Sequence, residues 1–193
     1  NAFMADETGG DYFDFIWSGP DRLCLAVGDV SGHGFDAALL MSETRAYLRS
    51  AAQTESDPGA LLSIVNRVLV ADTADDRFVT LLVICLSRHS GALSYASAGH
   101  VPAYVLDSSG QVRHELASTG APLGIFRDGT FETRSAPPLE PGELIALFTD
   151  GVIETENAAG TPFGSSRALG VIRAYRDEPS AKIVNHLYRA IKN

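Results

Sequence analysis

The chain has little cysteine, the residue that could cross-link it covalently, and little methionine or tryptophan. Its 193 residues include two cysteines, two methionines and one tryptophan. A small secreted domain held by disulfides needs more cysteines than this. Cys24 and Cys85 both lie inside apolar, strand-like runs, so we expect buried, unpaired thiols in a reducing compartment, the cytoplasm. A disulfide or a thiol nucleophile would need supporting neighbours, and the sequence offers none.

Long apolar runs and an excess of positive charge are also missing. The longest apolar stretch, Phe78 to Leu86, falls far short of the roughly 20 residues that a membrane helix needs. Fifteen Lys and Arg against 24 Asp and Glu give a net charge of -9. This balance excludes a nucleic-acid surface and binding to anionic membranes. The N-terminus has no basic and apolar signal-peptide regions, and Asn1-Ala2 is interpreted as a remnant of expression.

The length predicts a single domain over residues 1–193, and the residue pattern predicts its elements. Residues 10–16 and 22–28 read as a hairpin, residues 35–52 have helical periodicity, and Asp57-Pro58 opens a second helix. In the first helix the predicted inward flank is Ala38, Met41, Tyr47, Leu48 and Ala51, and in the second it is Leu61, Leu62, Val65, Val68 and Leu69.

The second half of the chain, apart from its last 30 or so residues, has a residue pattern typical of β-strands. Predicted strands are Phe78–Ser87, Ala92–Ala98, Ala103–Leu106, Val112–Leu116, Phe131–Ser135 and Glu143–Thr149. Tight turns between them favour antiparallel pairing. Two helices follow at 165–175 and 179–192, the latter with Ile183, Val184, Leu187 and Ile191 on one side. Strands segregated from pairs of helices predict an α+β sandwich with helices outside facing sheets.

Three aspartates stand beside glycine at the edges of apolar runs. They are Asp11 after Gly9-Gly10, Asp29 after Gly28, and Asp150 before Gly151. Two carboxylates about 4 Å apart repel by roughly 4 kcal/mol at an effective dielectric near 20. A divalent cation turns this repulsion into attraction, and hard cations such as Mg²⁺ and Mn²⁺ prefer oxygen ligands. The pattern therefore predicts an all-oxygen metal site and metal-assisted hydrolysis.

Each of these motifs also has a plainer interpretation. Taken alone, each aspartate is as consistent with an Asx-turn, a helix cap or an Asp-Gly turn. The loop after Asp29 lacks the lysine and the spacing of a phosphate-binding P-loop. His100 fits a hydrogen-bonded turn residue better than a ligand. His33 could orient substrate or carry a proton, or merely cap the next helix, and neither histidine is assigned a catalytic role. Asp14 would point away from Asp11 in a strand, so it is held as an accessory ligand at most.

Four motifs, read in order, resemble a known family. They are Gly-Gly-Asp-Tyr-Phe-Asp-Phe, Gly-Asp-Val-Ser-Gly-His-Gly-Phe-Asp-Ala-Ala-Leu-Leu-Met, Ser-Ala-Gly-His-Val-Pro-Ala and Thr-Asp-Gly-Val-Ile-Glu-Thr. Together they are similar to the SpoIIE-type, RsbU-like branch of the PPM metal-dependent serine/threonine phosphatases. The resemblance implies a four-layer αββα sandwich of two mainly antiparallel sheets flanked by helices.

By this resemblance the three aspartates are metal ligands. Asp11 and Asp29 would hold two Mn²⁺ or Mg²⁺ ions, with Asp29 bridging them and the Val30 carbonyl as a further ligand. Asp150 would bind the second metal. These residues would act on phosphate through metal-activated water, so no protein nucleophile is required.

The resemblance also implies partners. Members usually act on phosphoserine or phosphothreonine of anti-anti-sigma (STAS-domain) proteins and often follow an upstream sensor domain. Pairing of this chain as a homodimer, through the first two helices after the Gly-rich loop, is a further expectation. They normally end in a strand with an Asp-Asp-x-Thr-Leu pattern that completes the metal site, and no such pattern precedes Asn193. The sequence leaves three alternatives open. The first is an active phosphoprotein phosphatase whose last strand is absent from this chain, the second is a weak or silent binding module of the same fold, and the third is another metal-dependent phosphoester hydrolase that acts on a small molecule.

Overall fold

A computed structural model describes residues 10–72, 77–157 and 159–192 of the chain. Asn1 and Ala2, interpreted above as an expression remnant, lie outside the described residues. The chain divides into two compact units. The larger unit comprises the described residues of Met4–Pro102 and Leu116–Leu139, and the smaller one those of Ala103–Glu115 and Glu140–Asn193.

A five-stranded antiparallel sheet forms the larger unit, in the order β1-β2-β3-β4-β7. Its strands are β1 (Tyr12–Trp17), β2 (Arg22–Val30), β3 (Val79–Ser87), β4 (Leu93–Ala98) and β7 (Arg134–Ala136). The predicted hairpin of the first two strands is confirmed. Strand β7 begins at Arg134, later than predicted, and Phe131, the predicted first residue, is buried in the core ahead of the strand.

Two helices pack on this sheet, α1 (Phe35–Ala51) and α2 (Pro58–Asp72). The Asp57 carboxylate accepts a hydrogen bond of 2.8 Å from the Ala60 amide, which confirms the predicted N-cap of α2. The inward face of α1 differs in part from the prediction, since Ala38 and Tyr47 are only half-buried. The buried residues of α1 are Ala37, Leu40, Met41, Thr44, Leu48 and Ala51.

The smaller unit holds a three-stranded sheet in the order β6-β5-β8. Its elements are β5 (Ala103–Leu106), β6 (Val112–Leu116), β8 (Leu144–Ala146), α3 (Asp150–Ile153), α4 (Gly164–Ala174) and α5 (Ser180–Lys192). The predicted strand 143–149 is shorter in the structure and is followed by α3, a helix that the sequence pattern did not predict. Val184 was predicted to face inward and is instead 36% exposed. No helix in the described parts of the chain is long and apolar enough to cross a membrane.

The expectation of two unpaired thiols is wrong. Cys24 on β2 stands directly opposite Cys85 on β3, with 4.1 Å between their Cα atoms, and the two sulfurs form a disulfide. Both residues are buried in the core. Their spacing of 61 positions along the chain carries no sign of this pairing, because the register of two strands brings them together.

Candidate metal centre

Two of the three predicted aspartates meet in the larger unit. Asp11 directly precedes β1, and Asp29 is the next-to-last residue of β2. The antiparallel register places Tyr12 opposite Gly28, so the start of one strand lies beside the end of the other. As a result Asp11 and Asp29 each offer a carboxylate oxygen within 4.8 Å of the other.

The main chain beside this pair leaves room that only glycine can provide. A Cβ atom added to Gly10 would lie 3.0 Å from Asp29 Oδ1 and 3.0 Å from the carbonyl oxygen of Val30. Gly10 therefore faces both oxygens across a space that a side chain would fill. Val30 was predicted to offer its carbonyl, and the structure places that oxygen near the Asp29 carboxylate.

A tight loop leads from the pair into α1. Gly32 and Gly34 have φ angles of 94° and 85°, in the left-handed region that side chains rarely adopt. Ser31 ties the loop to the residue before β3: its amide donates to the Phe78 carbonyl at 2.9 Å, and its hydroxyl accepts the Phe78 amide at 2.9 Å. His33 is exposed in this loop.

Sequence reasoning missed Thr80, which lies opposite Asp29 on β3. Its hydroxyl is 3.4 Å from the Asp29 carbonyl oxygen and 2.9 Å from Nδ1 of His100. His100 is buried, 4% exposed, directly after the Gly99 turn. The histidine that the sequence favoured as a hydrogen-bonded turn residue is thus linked through Thr80 to the main chain of Asp29. The register of β2 and β3 creates this link, and no local sequence signal could have shown it.

Asp14 has partners of its own on the side of α1. Arg49 donates two hydrogen bonds of 2.6 Å to its two carboxylate oxygens, and the Tyr12 hydroxyl donates a third of 2.9 Å. The Phe15 amide donates a fourth, also 2.9 Å, and Arg45 stands 3.5 Å away. The accessory metal role considered for Asp14 stays a prediction, and the structure gives this carboxylate an ion pair with α1 instead.

The surroundings of Asp14 shift two pKa values. Burial opposes its ionisation, but the hydrogen bonds from Arg49, Tyr12 and the Phe15 amide outweigh burial and hold the pKa of Asp14 below its ordinary value. Burial and the hydrogen bond to Asp14 raise the pKa of Tyr12. At neutral pH this cluster therefore contains an ionised aspartate and a neutral tyrosine.

Asp150 belongs to the smaller unit, where it is the first residue of α3. Its main-chain carbonyl accepts a hydrogen bond of 2.7 Å from the Glu154 amide. The aspartate predicted to end a strand thus begins a short helix. Its role as a ligand stays a prediction.

The donor set of the larger unit fits a hard divalent cation. It combines two carboxylates and a main-chain carbonyl, all oxygen donors, and within the described residues no cysteine or histidine, which would favour a softer metal, belongs to the cluster. Paired carboxylates of this kind, next to a space kept clear by Gly10, are typical of sites for Mg²⁺ or Mn²⁺.

Comparison with known proteins agrees with this geometry. The sequence model of the family "Stage II sporulation protein E (SpoIIE)" matches residues 19–193. The chain belongs to the SpoIIE family. It is 32% identical over 155 residues to the phosphoserine phosphatase RsbU of Bacillus subtilis, covering 79% of this chain and 46% of RsbU. RsbP, a second phosphoserine phosphatase of that organism, is 24% identical over 98% of this chain and 46% of its own length.

Solved structures show the same fold. The PP2C domain of SiaA from Pseudomonas aeruginosa matches 95% of this chain and 73% of its own, with a TM-score of 0.82 and 25% identity. A structure of the RsbU and RsbW domains of Rv1364c from Mycobacterium tuberculosis matches 98% of this chain and 51% of its own, with a TM-score of 0.77 and 30% identity. The predicted α+β fold class and the resemblance to the RsbU-like branch are confirmed. The chain spans less than half the length of the curated relatives RsbU and RsbP.

Proposed function

We propose that this chain is a metal-dependent phosphatase domain that hydrolyses phosphoserine or phosphothreonine on a protein. The observation that carries the proposal is the approach of the Asp11 and Asp29 carboxylates to within 4.8 Å, in a member of the SpoIIE family. Relatives that carry the name phosphoserine phosphatase support it. The domain is proposed to extend over the whole chain, residues 1–193.

We propose a specific role for each ligand. Asp29 would serve both of two Mn²⁺ or Mg²⁺ ions, Asp11 would bind one of them with the Val30 carbonyl as a neutral oxygen, and Asp150 would be a ligand of the second. The ions, when bound, supply a Lewis acid for the phosphoryl oxygens and lower the pKa of water for attack on phosphorus. The carboxylates orient the ions, and the space at Gly10 keeps that approach open.

The relatives support a place in bacterial signalling. RsbU is a phosphoserine phosphatase, and in Rv1364c an RsbU domain shares a chain with an RsbW domain. We therefore propose that the substrate is a phosphorylated anti-anti-sigma protein of the STAS type in a partner-switching pathway. An upstream sensor domain, pairing as a homodimer and a cytoplasmic location belong to the same proposal. The cytoplasmic location rests on this pathway and no longer on unpaired thiols, since Cys24 and Cys85 form a disulfide.

The test is hydrolysis of para-nitrophenyl phosphate during a Mn²⁺ titration, for the wild type and for Asp29→Asn. We expect Mn²⁺-dependent turnover in the wild type and a loss of at least 100-fold in the variant, since the bridging carboxylate is removed. The variant should stay folded, because removing one charge from a carboxylate pair relieves repulsion in the absence of metal.

Asp21→Asn is the matched control. Asp21 lies in the turn before β2, at the end of the strand away from Asp29, and its 2.7 Å hydrogen bond with His89 is solvent-exposed. Its turnover should equal that of the wild type. Equal turnover of Asp29→Asn and the wild type would refute the bridging role. A folded wild-type chain that neither binds Mn²⁺ nor turns over would favour the second candidate, a silent binding module of the same fold.

A further inference from the structure

Strand β1 lies at the edge of the sheet, although a proposed metal ligand stands at its start. It follows Asp11 directly, yet it is the edge strand and pairs only with β2 among the described strands. A strand held on one side has more freedom to shift than one held on both. Metal sites, in contrast, require ligands fixed to within about half an ångström. Something besides β2 must therefore hold the start of β1 in place.

The ion pair between Asp14 and Arg49 meets this need. Asp14 is three residues after Asp11, and Arg49 is in the last turn of α1, so the pair ties the strand to the helix. Both 2.6 Å hydrogen bonds are charge-assisted and the guanidinium is bidentate, which fixes direction as well as distance. The Asp14 side chain is only 11% exposed.

Tyr12 extends the same support toward the site. It directly follows Asp11, it is 7% exposed, and its hydroxyl donates to Asp14. Its main chain lies opposite Gly28, the residue before Asp29. Tyr12, which follows Asp11, is thus linked to the Asp14–Arg49 pair by a hydrogen bond. Gly28, which precedes Asp29, is linked to Tyr12 by the strand register.

We propose that Asp14 and Arg49 are positioning residues that hold Asp11 in its metal-binding position beside Asp29. The inference rests on the proposed function and goes beyond it, because it assigns a role to two side chains that do not touch the metal. Supporting residues of this kind typically change metal affinity by 10 to 100-fold when they are lost.

The diagnostic variant is Arg49→Met, because a positioning role and a purely electrostatic role predict opposite changes in the affinity for Mn²⁺. Removing a positive charge near an anionic site should strengthen cation binding if charge alone matters. Loss of positioning should weaken it. We expect the Mn²⁺ dissociation constant, measured by isothermal titration calorimetry on the metal-free folded protein, to rise about ten-fold. Arg49→Lys keeps the charge but loses the bidentate hydrogen bonds. Its Mn²⁺ dissociation constant should lie between those of Arg49→Met and the wild type.

Arg45→Met is the matched control. It removes the same charge from the same helix, but the contact of Arg45 with Asp14 is 3.5 Å long and single. Its affinity for Mn²⁺ should equal or exceed that of the wild type. Thermal unfolding of each metal-free variant, with titrations done well below its midpoint, separates positioning from loss of fold.

Unchanged or tighter Mn²⁺ binding by folded Arg49→Met, with a normal wild type, would overturn the positioning role and leave the proposed function standing. A fall in affinity of Arg45→Met as large as that of Arg49→Met would also overturn it. A wild type that binds no Mn²⁺ would refute the proposed function itself, and the positioning role with it.

Discussion

Gly10 shows how much a single missing side chain can decide. Its neighbours in space are Asp29 Oδ1 and the Val30 carbonyl, each 3.0 Å from where a Cβ would stand. Contacts that short force the neighbours to give way by some tenths of an ångström. These two neighbours are oxygens of the candidate metal centre, and a third, the Cβ of the core residue Val30, lies 3.2 Å away. A side chain here would therefore disturb the site directly and the edge of the core with it.

We therefore expect Gly10→Ala to weaken Mn²⁺ binding by about ten-fold, the scale seen when groups around metal ligands are altered. Calorimetric titration and para-nitrophenyl phosphate hydrolysis would measure it. Gly170→Ala is the control, because nothing lies within 4 Å of the added atom in α4 and alanine favours a helix. If both variants bind Mn²⁺ like the wild type, the space at Gly10 has no role in the site.

At the scale of elements, β1 and α1 are joined by the ion pair of Asp14 and Arg49. The pKa of Asp14 lies below its ordinary value because its hydrogen bonds outweigh burial. A lowered folded-state pKa means that the unfolded chain takes up the proton first as the pH falls. The stability from Asp14 is therefore present above the ordinary carboxyl pKa of about 3.9 and is lost as the pH falls through the lowered value.

Asp14→Asn should cost about 1 kcal/mol of unfolding free energy at pH 7, since charge-assisted hydrogen bonds are lost and water around Arg49 screens part of the effect. Urea unfolding of both proteins from pH 7 to pH 3 would measure the difference. It should stay constant down to about pH 4 and shrink below that, as the wild-type carboxylate is protonated. A difference that is the same at pH 3 and pH 7 would contradict the role given to the ionised carboxylate.

At the scale of the whole molecule, the disulfide closes a long segment of chain. Cys24 and Cys85 are 61 positions apart, and the segment between them includes Asp29 and both helices of the larger unit. Cross-links over loops of this length stabilise proteins mainly by restricting the unfolded chain. Along β2 the sulfur of Cys24 stands about 16 Å from Asp29, at roughly 3.3 Å per residue, so the bond should not touch the chemistry.

The double variant Cys24→Ala, Cys85→Ala is expected to keep wild-type turnover of para-nitrophenyl phosphate. Its unfolding free energy should fall by roughly 2 to 4 kcal/mol, through the lost cross-link. Urea unfolding and the hydrolysis assay measure the two effects separately. A folded double variant without turnover would bring thiol chemistry back into consideration.

Several features could be predicted from the sequence because they depend on neighbours along the chain. Strand and helix periodicity, the Asp57 cap and the turn glycines are local, so the elements of both units were predicted apart from the short helix α3, with errors of up to three residues at their ends. The two aspartates of the larger unit were predicted as ligands because glycines and apolar runs mark them. The α+β class followed from the order of elements, and the family from four motifs in sequence.

Tertiary structure alone decided what depends on register and packing. Thr80 meets Asp29, and Cys24 meets Cys85, only because β2 and β3 pair at one register among many. Arg49 reaches Asp14 only because α1 packs against β1, 35 positions away along the chain. Such contacts join residues that are distant in sequence, and their free energy is gained only once the sheet and helix have formed. Local patterns hold no record of them, whereas an aspartate beside a glycine at the edge of an apolar run is itself a local pattern, and the prediction of a metal ligand could be made from it.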